Sequence, residues 1–376
     1  MKIAVIDLSM RGWLAGGVVT RTMALALKQA GADVVYASDS ESALAGVPGL
    51  TIPAPNYLPL EWTLRRALQR GSKETLSRAL INAQVDVALP TIGALKVKGL
   101  PTVGWIPDFQ HLRLPELFSV EKRRNLTREF GALAARSARV LLSSRDAAKD
   151  FLHFFPENSG KARVVSFPSL FAFSPPASEA GNTRGKFYLP ERFLLVINQF
   201  WRHKNHKTVA QALGMAKRLG KEIPLVMAGL PVDYRDPENS AMSETFQELA
   251  MGGVSGQCVF LGKVGRDDLV DLLRTATAVV QPSLFEGWNT TAQDAKALGC
   301  PVLASDLGVH REQCPEAAGF FPPDQPEQLA RILAECWDRF PTRPDLASEE
   351  AALAREKEFA RTYGEKLMAV CEECRR

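Results

Sequence analysis

Two acids, Glu286 and Asp294, stand with seven residues between them in the stretch PSLFEGWNTTAQDAKALGCPVLAS, Pro282 to Ser305. Gly287, Trp288, Asn289 and Thr290 make a poor helix start, whereas the following AQDAKALG is a good helix former. A side-chain oxygen of Asn289, Thr290 or Thr291 can cap that helix, because it satisfies one of the amide donors every helix leaves unpaired in its first turn. Asp294 then lies about one turn inside and Glu286 just before the entrance, both near the positive end of the helix dipole. A helix start of this kind offers amides to a phosphate, and two carboxylates can hold hydroxyl groups on either side of it. The alternative is a strand, a loop and an acidic helix start without a ligand.

Other candidate chemistry is scattered more widely. Arg202 and Lys204 form a basic pair in NQFWRHKNH, beside Asn198 and Gln199; the alternative is a solvated basic loop. Gly16 and Gly17 in AGGV allow a close backbone approach to a ligand or only a tight turn. MRGWLAGGVV lacks the GxGxxG spacing of a dinucleotide fingerprint, which counts against an oxidoreductase. No aspartate-any-aspartate pair follows a strand to hold a metal. The six cysteines all fall in the second half without the spacing of a disulfide framework, and CEEC at Cys371 to Cys374 has no second pair to complete a zinc site. His153, His206 and His310 have no evident partner and read as structural or surface residues.

These groups need a scaffold, and the hydrophobic pattern supplies one twice. KIAVIDL, DVVYAS, DVALP, PTVGWI, RVLLSS and ARVVSF read as strands, with helices in VTRTMALALKQAG, SVEKRRNLTREFGALAARSA and RDAAKDFLHFF. FSPPASEAGNTRGKFYLPER carries no period and reads as a linker. Alternation then restarts with FLLVINQF, PLVMAG, CVFLGKV, AVVQPS and PVLAS as strands between helices. The reading is α/β, with two doubly wound parallel-sheet domains facing across a cleft. Ligands of such sheets bind beyond the carboxyl ends of the strands, where AGGV, NQFWRHKNH, AGLP with Gly229, GKV with Gly262 and Val264, and SLFEGW all fall. The expected divisions are 1–185, 186–350 and a terminal helix over 351–376 that packs back toward the first domain.

In these residues the chain resembles the retaining glycosyltransferases of family 4, which have the GT-B fold of two Rossmann-like domains. The stretch from Pro282 resembles the family signature of a glutamate, seven residues and a second acid. GGV, WIPDFQHLRLPELF, LLSSRDAAKDF, NQFWRHKNH, MAG and FLGKV follow the family order over nearly the full chain. The resemblance implies transfer of a sugar from a nucleoside-diphosphate sugar, without metal or other cofactor, to a hydroxyl of a glycan or lipid-linked acceptor in cell-surface polysaccharide or glycolipid synthesis. It implies that Glu286 holds donor-sugar hydroxyls and Asp294 the ribose. Lys204, Arg202 and the amides from Gly287 to Thr291 would stabilise charge on the leaving phosphate. Backbone groups from Gly262 to Val264 would frame the base, Asp108 is the acceptor-side candidate, and His111 would contact the donor sugar or the acceptor hydroxyl. Three positions depart from the family pattern: Asp294 replaces glutamate, Gln199 replaces an arginine that Arg202 can replace from the next turn, and Pro107 replaces a histidine before Asp108. A catalytically silent sugar-nucleotide-binding subunit and a GT-B-fold epimerase are the alternatives.

Chain-level properties agree with a globular protein. At 376 residues, 46% hydrophobic and 23% charged, it can bury the cores of two domains. No apolar run approaches a membrane span, and Asp7 and Arg11 interrupt the segment where a signal-peptide core would lie, so a cytoplasmic protein is expected. The net charge of +4 hides an asymmetry: 23 basic and 15 acidic residues up to Gly185 leave 23 and 27 beyond it, +8 against −4. Trp62, Arg66, Arg70 and Lys73, together with Lys122, Arg123, Arg124 and Arg128, suit an anionic membrane surface. Peripheral contact with the inner face of a membrane is the corresponding partner expectation, and nucleic acid is not expected.

Overall fold

The computed structural model describes residues 1–7, 14–38, 47–51, 76–93, 95–175, 182–233, 235–236 and 238–375. The basic stretch from Trp62 to Lys73 lies outside the described residues. Two compact units are present. The first comprises Met1–Phe109, Ser119–Phe173 and Lys357–Arg376; the second comprises Gln110–Phe118 and Ser174–Glu356.

In the first unit the strands are β1 (Lys2–Ile6), β2 (Asp33–Ser38), β3 (Gly49–Thr51), β4 (Val87–Thr91), β5 (Thr102–Ile106), β6 (Arg139–Leu142) and β7 (Ala162–Val164). They form one parallel sheet in the order β3-β2-β1-β4-β5-β6-β7. β4 and β5 are buried along their whole length, as expected of parallel strands covered on both faces. Helix α1 (Leu14–Gln29) follows β1, residues 76–82 form α2, and α3 (Gln110–Arg113) is a single turn after β5. α4 (Val120–Arg136) and α5 (Arg145–Phe154) start at serine caps: Ser119 Oγ accepts from the Lys122 amide and Ser144 Oγ from the Ala147 amide.

The second unit, to which α3 belongs, continues with α6 (Thr183–Lys186), inside the stretch read as a linker. A four-residue helix is too short to show a period. Its amide at Thr183 donates to Asp271 Oδ2 at 2.8 Å and Lys186 pairs with Asp268 at 2.7 Å, which ties these residues to the second unit. Strands β8 (Leu194–Ile197), β9 (Leu225–Ala228), β10 (Cys258–Phe260), β11 (Ala278–Gln281), β12 (Val302–Ser305) and β13 (Gly319–Phe321) form a second parallel sheet, ordered β10-β9-β8-β11-β12-β13. Between them run α7 (His206–Arg218), α8 (Ser240–Met251), α9 (Arg266–Thr275), α10 (Thr290–Ala297), α11 (Gly308–Gln313) and α12 (Pro326–Cys336). Leu194, Val196, Leu213, Met227, Val280, Leu303 and Leu329 are among the core residues that α7 and α12 close over one face.

α13 (Leu346–Glu373) is one helix of 28 residues whose start belongs to the second unit and whose end belongs to the first. Arg274 holds its start by donating from Nε to both oxygens of Glu349 at 2.9 and 3.0 Å. At its end Glu373 accepts from Arg139 at 2.7 Å and from Arg163 at 3.0 Å. Gly364 gives room for the passage over α1, since a Cβ there would stand 2.4 Å from the Ala26 carbonyl oxygen.

Candidate functional site

β8 and β11 are neighbours, so the loops after Ile197 and Gln281 leave the same edge of the second sheet. Beyond β8, Arg202–Lys204 make one 3-10 turn that ends at Asn205 in the left-handed region, φ 53° and ψ 42°. Asn205 Nδ2 donates to the Pro282 carbonyl at 3.0 Å and the Pro323 carbonyl at 2.8 Å, and the Leu284 amide donates to the His203 carbonyl at 2.7 Å. Those bonds lock the two loops together and bring Lys204 Nζ to 2.6 Å from Glu286 Oε1.

Glu286 is buried, and three donors converge on one of its oxygens. Besides Lys204, Ser283 Oγ donates to Oε1 at 2.7 Å and Asn289 Nδ2 at 3.0 Å. Among the described residues no donor takes Oε2, the oxygen left to accept from a ligand. Asn289 also caps α10, its Oδ1 accepting the Ala292 amide at 2.9 Å. Its Nδ2 donates to Gln281 Oε1 at 2.9 Å, which Asn198 Nδ2 reaches at 3.0 Å. The Asn289 amide goes to Gln313 Oε1 at 3.1 Å and the Gln293 amide to the Asn289 carbonyl at 3.1 Å. That leaves the amides of Thr290 and Thr291 at the positive end of α10 for an anion. Thr291 Oγ1 donates to the Ile197 carbonyl at 3.1 Å and fixes the helix start against β8.

The remaining donor-side candidates are distributed around this cluster. Gly229, just past β9, has φ +157°, and a Cβ there would lie 2.0 Å from the Asn198 carbonyl oxygen; only glycine lets the two loops approach. Its amide donates to the Gly262 carbonyl at 2.8 Å. Gly262 is left-handed at φ +63° and faces open space, and Val264 is half-buried before α9. Gln199 and Trp288 are half-buried, Gly287 is buried, and Asp294 is half-buried as the fifth residue of α10. Arg202 stands apart: its side chain is 58% exposed and lies 4.0 Å from Glu244 on α8. Of the basic pair, Lys204 alone joins Glu286.

His111 sits in α3, within Gln110–Phe118 of the second unit, in a T-shaped pair with Phe118, ring centroids 6.4 Å apart. Burial pushes its pKa down to about 4, so the imidazole is neutral near pH 7. Asp108 is half-buried two residues after β5 in the first unit. Gly16 and Gly17, expected in a loop, lie in the first turn of α1, where Thr20 Oγ1 approaches their carbonyls at 3.2 and 3.1 Å.

Three contributors carried no readable signal. Ser283 and Gln281 precede the acid in AVVQPS, but a strand-end serine or glutamine is not distinctive in a single sequence. Gln313 reaches Asn289 from the end of α11, which only the fold brings near. His310, read as structural or surface, is fully buried, with Nδ1 2.9 Å from the Ser305 carbonyl; Ser305 Oγ donates to the Ser283 carbonyl at 2.6 Å. Burial lowers the His310 pKa although the Glu286 charge opposes it, so a neutral ring supports the loop that carries Ser283.

Comparison with known proteins places this architecture. Residues 182–348 match the family model Glycosyl transferases group 1. Over 180 residues the chain is 27% identical to the D-inositol 3-phosphate glycosyltransferase of Streptomyces avermitilis, covering 47% of this chain and 39% of that protein. Over 182 residues it is 26% identical to the putative glycosyltransferase EpsF of Bacillus subtilis, covering 47% and 44%. The match thus spans less than half the length of these curated relatives. Among solved structures, sucrose-phosphate synthase from Thermosynechococcus elongatus superposes with a TM-score of 0.70 at 16% identity, covering 99% of this chain and 96% of that one. Anabaena HepE in complex with UDP and glucose superposes with a TM-score of 0.63 at 15% identity, covering 99% and 97%. The chain therefore has the GT-B fold of two Rossmann-like domains, and residues 182–348, within its second unit, are those that match the glycosyl transferases group 1 model.

Proposed function

We propose, from the premise of a group 1 glycosyltransferase domain on a GT-B fold, that the protein moves a sugar from a nucleoside-diphosphate sugar to an acceptor hydroxyl with retention of anomeric configuration. The observation that carries this reading is the arrangement at Glu286. Three donors hold Oε1, Oε2 is open to a hydroxyl, and beside it stand an ammonium and two helix-start amides suited to a diphosphate. In the reaction the bond from the anomeric carbon to the phosphate oxygen breaks as the bond to the acceptor oxygen forms. The acceptor proton passes to the departing phosphate. Lys204 and the amides of Thr290 and Thr291 stabilise charge on that phosphate, Glu286 positions the donor sugar, and Asp294 binds the ribose. Backbone groups at Gly229, Gly262 and Val264 frame the base. His111, as a neutral imidazole, makes a hydrogen bond to donor or acceptor, and Asp108 serves the acceptor, a glycan or lipid-linked species of cell-surface synthesis. The chemistry calls on positioning and charge stabilisation, with no metal assigned a role.

Hydrolysis of UDP-, GDP-, ADP- and dTDP-hexoses without acceptor tests this. Slow release of nucleoside diphosphate, with free sugar of the donor's anomeric configuration by rapid proton NMR, is expected from the wild type. His111→Ala should lower that rate by about two to three orders of magnitude. Epimerised donor without diphosphate release would overturn the reading, and an inverted product would overturn retention.

A further inference from the structure

Behind Lys204 lies a node that the proposed reaction does not use. The Arg235 side chain, 11% exposed, extends from the loop after β9. Its Nε donates to Asp233 Oδ1 at 2.9 Å and Nη2 to Asp233 Oδ2 at 3.0 Å, so the carboxylate fixes the plane of the guanidinium. From that plane Nη1 donates to Gln110 Oε1 at 2.7 Å, and Nη2 lies 3.3 Å from His203 Nδ1. The Trp201 and Phe118 rings lie 5.0 and 5.7 Å from Cζ. One side chain thus contacts the residue before Lys204 and the residue before His111.

A guanidinium has only donors, so the contact requires His203 Nδ1 to accept and Nε2 to carry the proton. The His203 carbonyl in turn receives the Leu284 amide, two residues before Glu286. We propose that Arg235 is a positioning residue: it holds His203 neutral in the Nε2–H tautomer, sets the turn that aims Lys204 at Glu286, and fixes the Gln110 segment that carries His111. Its place behind both groups, rather than in contact with a reacting atom, separates it from them. Charge near His203 comes from Lys204 on its own segment and from Arg235 on the β9 loop, the latter paired with Asp233; His206 beside it is buried and neutral, its pKa pushed down to about 3. Burial is the first cause of the low His203 pKa, and Arg235 adds to it.

The test combines Arg235→Ala, Arg235→Lys and Gln110→Ala in the full chain. In the wild type, nitrogen NMR of His203 should show a neutral Nε2–H ring from pH 8 to 5. Arg235→Ala should raise the pH at which His203 protonates and mix its tautomers. Arg235→Lys keeps the charge and should leave the protonation nearly unchanged, but it lacks the fork that spans Asp233 and Gln110. In the donor-hydrolysis assay, both Arg235 variants should lose about tenfold to a hundredfold in kcat with little change in KM, and Gln110→Ala should show part of that loss. An unchanged His203 tautomer and titration in Arg235→Ala would overturn the proposal, as would a kcat within twofold of wild type in Arg235→Lys and Gln110→Ala. If Arg235→Ala fails to fold, the other two variants decide it. The kinetic arm rests on the transferase reading above, whereas the NMR arm does not; a wild type without turnover would therefore count against that reading and leave Arg235 to be judged by His203.

Discussion

At the scale of single residues, the proposal gives the Lys204–Glu286 pair two roles, in structure and in turnover, that substitution can separate. Both partners are mostly buried, at 16% and 8% side-chain exposure. Removing one leaves an uncompensated charge, which costs about 3–5 kcal/mol for buried pairs, whereas removing both together avoids that term. Glu286→Ala and Lys204→Met should each abolish turnover and lower stability by about 3 kcal/mol. The double variant Lys204→Met with Glu286→Ala should recover most of the stability and none of the activity. Denaturant melts of the four proteins check this, and a double variant less stable than both single ones would refute the coupling. Glu286 and Lys204 are legible in sequence as candidates because each stands in a polar loop at the end of an apolar strand; their contact is what the structure adds. Arg202 was not separable from Lys204, because two cations on one three-residue turn look equivalent until the turn directs one to Glu244 and the other to Glu286. The Asn289 cap was also legible, one of three candidates in a short window, whereas Gln313 and Arg235 act across distances that only the folded chain defines.

At the scale of elements, two joints hold the loops and the long helix in place. Gly229→Ala sets a Cβ 2.0 Å from the Asn198 carbonyl oxygen and 2.6 Å from its carbon, at a φ that side chains rarely adopt. It should destabilise by more than about 3 kcal/mol or displace the β8 loop, with donor affinity falling together with thermal stability. Full stability with full affinity would show that the two loops do not need this approach. At the end of α13, the Arg163 and Arg139 guanidiniums beside Glu373 hold its carboxyl down to about 2 from 4.5. A depressed carboxylate contributes stability that is complete above about pH 4.5 and lost as the pH falls toward 2. Protection factors of the amides in the last turns of α13 should therefore fall as the pH drops through that window in the wild type and change little in Glu373→Gln; parallel profiles would remove the clamp. The strands and main helices were legible because their periods are long enough to register. β3 and β13, three residues each, and α6, four, fall below that length. In sequence Gly16 and Gly17 look like a loop, whereas in the structure they lie in the first turn of α1 with Thr20 bonded back to both carbonyls.

At the scale of the whole molecule, the sequence showed two alternating halves, but Gln110–Phe118 group with the second unit and α13 contributes to both. Neither fact has a local signal, since each depends on contacts between residues far apart in the chain. The charge asymmetry remains a proposal about partners. Lys122, Arg124 and Arg128 are exposed on α4, and no described helix is long and apolar enough to cross a membrane. On that charge we propose peripheral binding to anionic lipid. Flotation with vesicles of rising anionic content should carry the protein at low salt, release it at high salt, and weaken when Arg66, Arg70, Arg123 and Arg124 are neutralised together. No flotation at low salt would point to a soluble acceptor instead. The central claim, a nucleoside-diphosphate sugar held at Lys204 and Glu286, is tested most directly by thermal unfolding with UDP, GDP, ADP and dTDP in turn. A ligand bound only by the native state at a hundredfold over its Kd stabilises by about 2.7 kcal/mol. At least one diphosphate should raise the melting temperature of the wild type and lose most of that effect in Lys204→Met; no response to any of the four in the wild type would contradict the account.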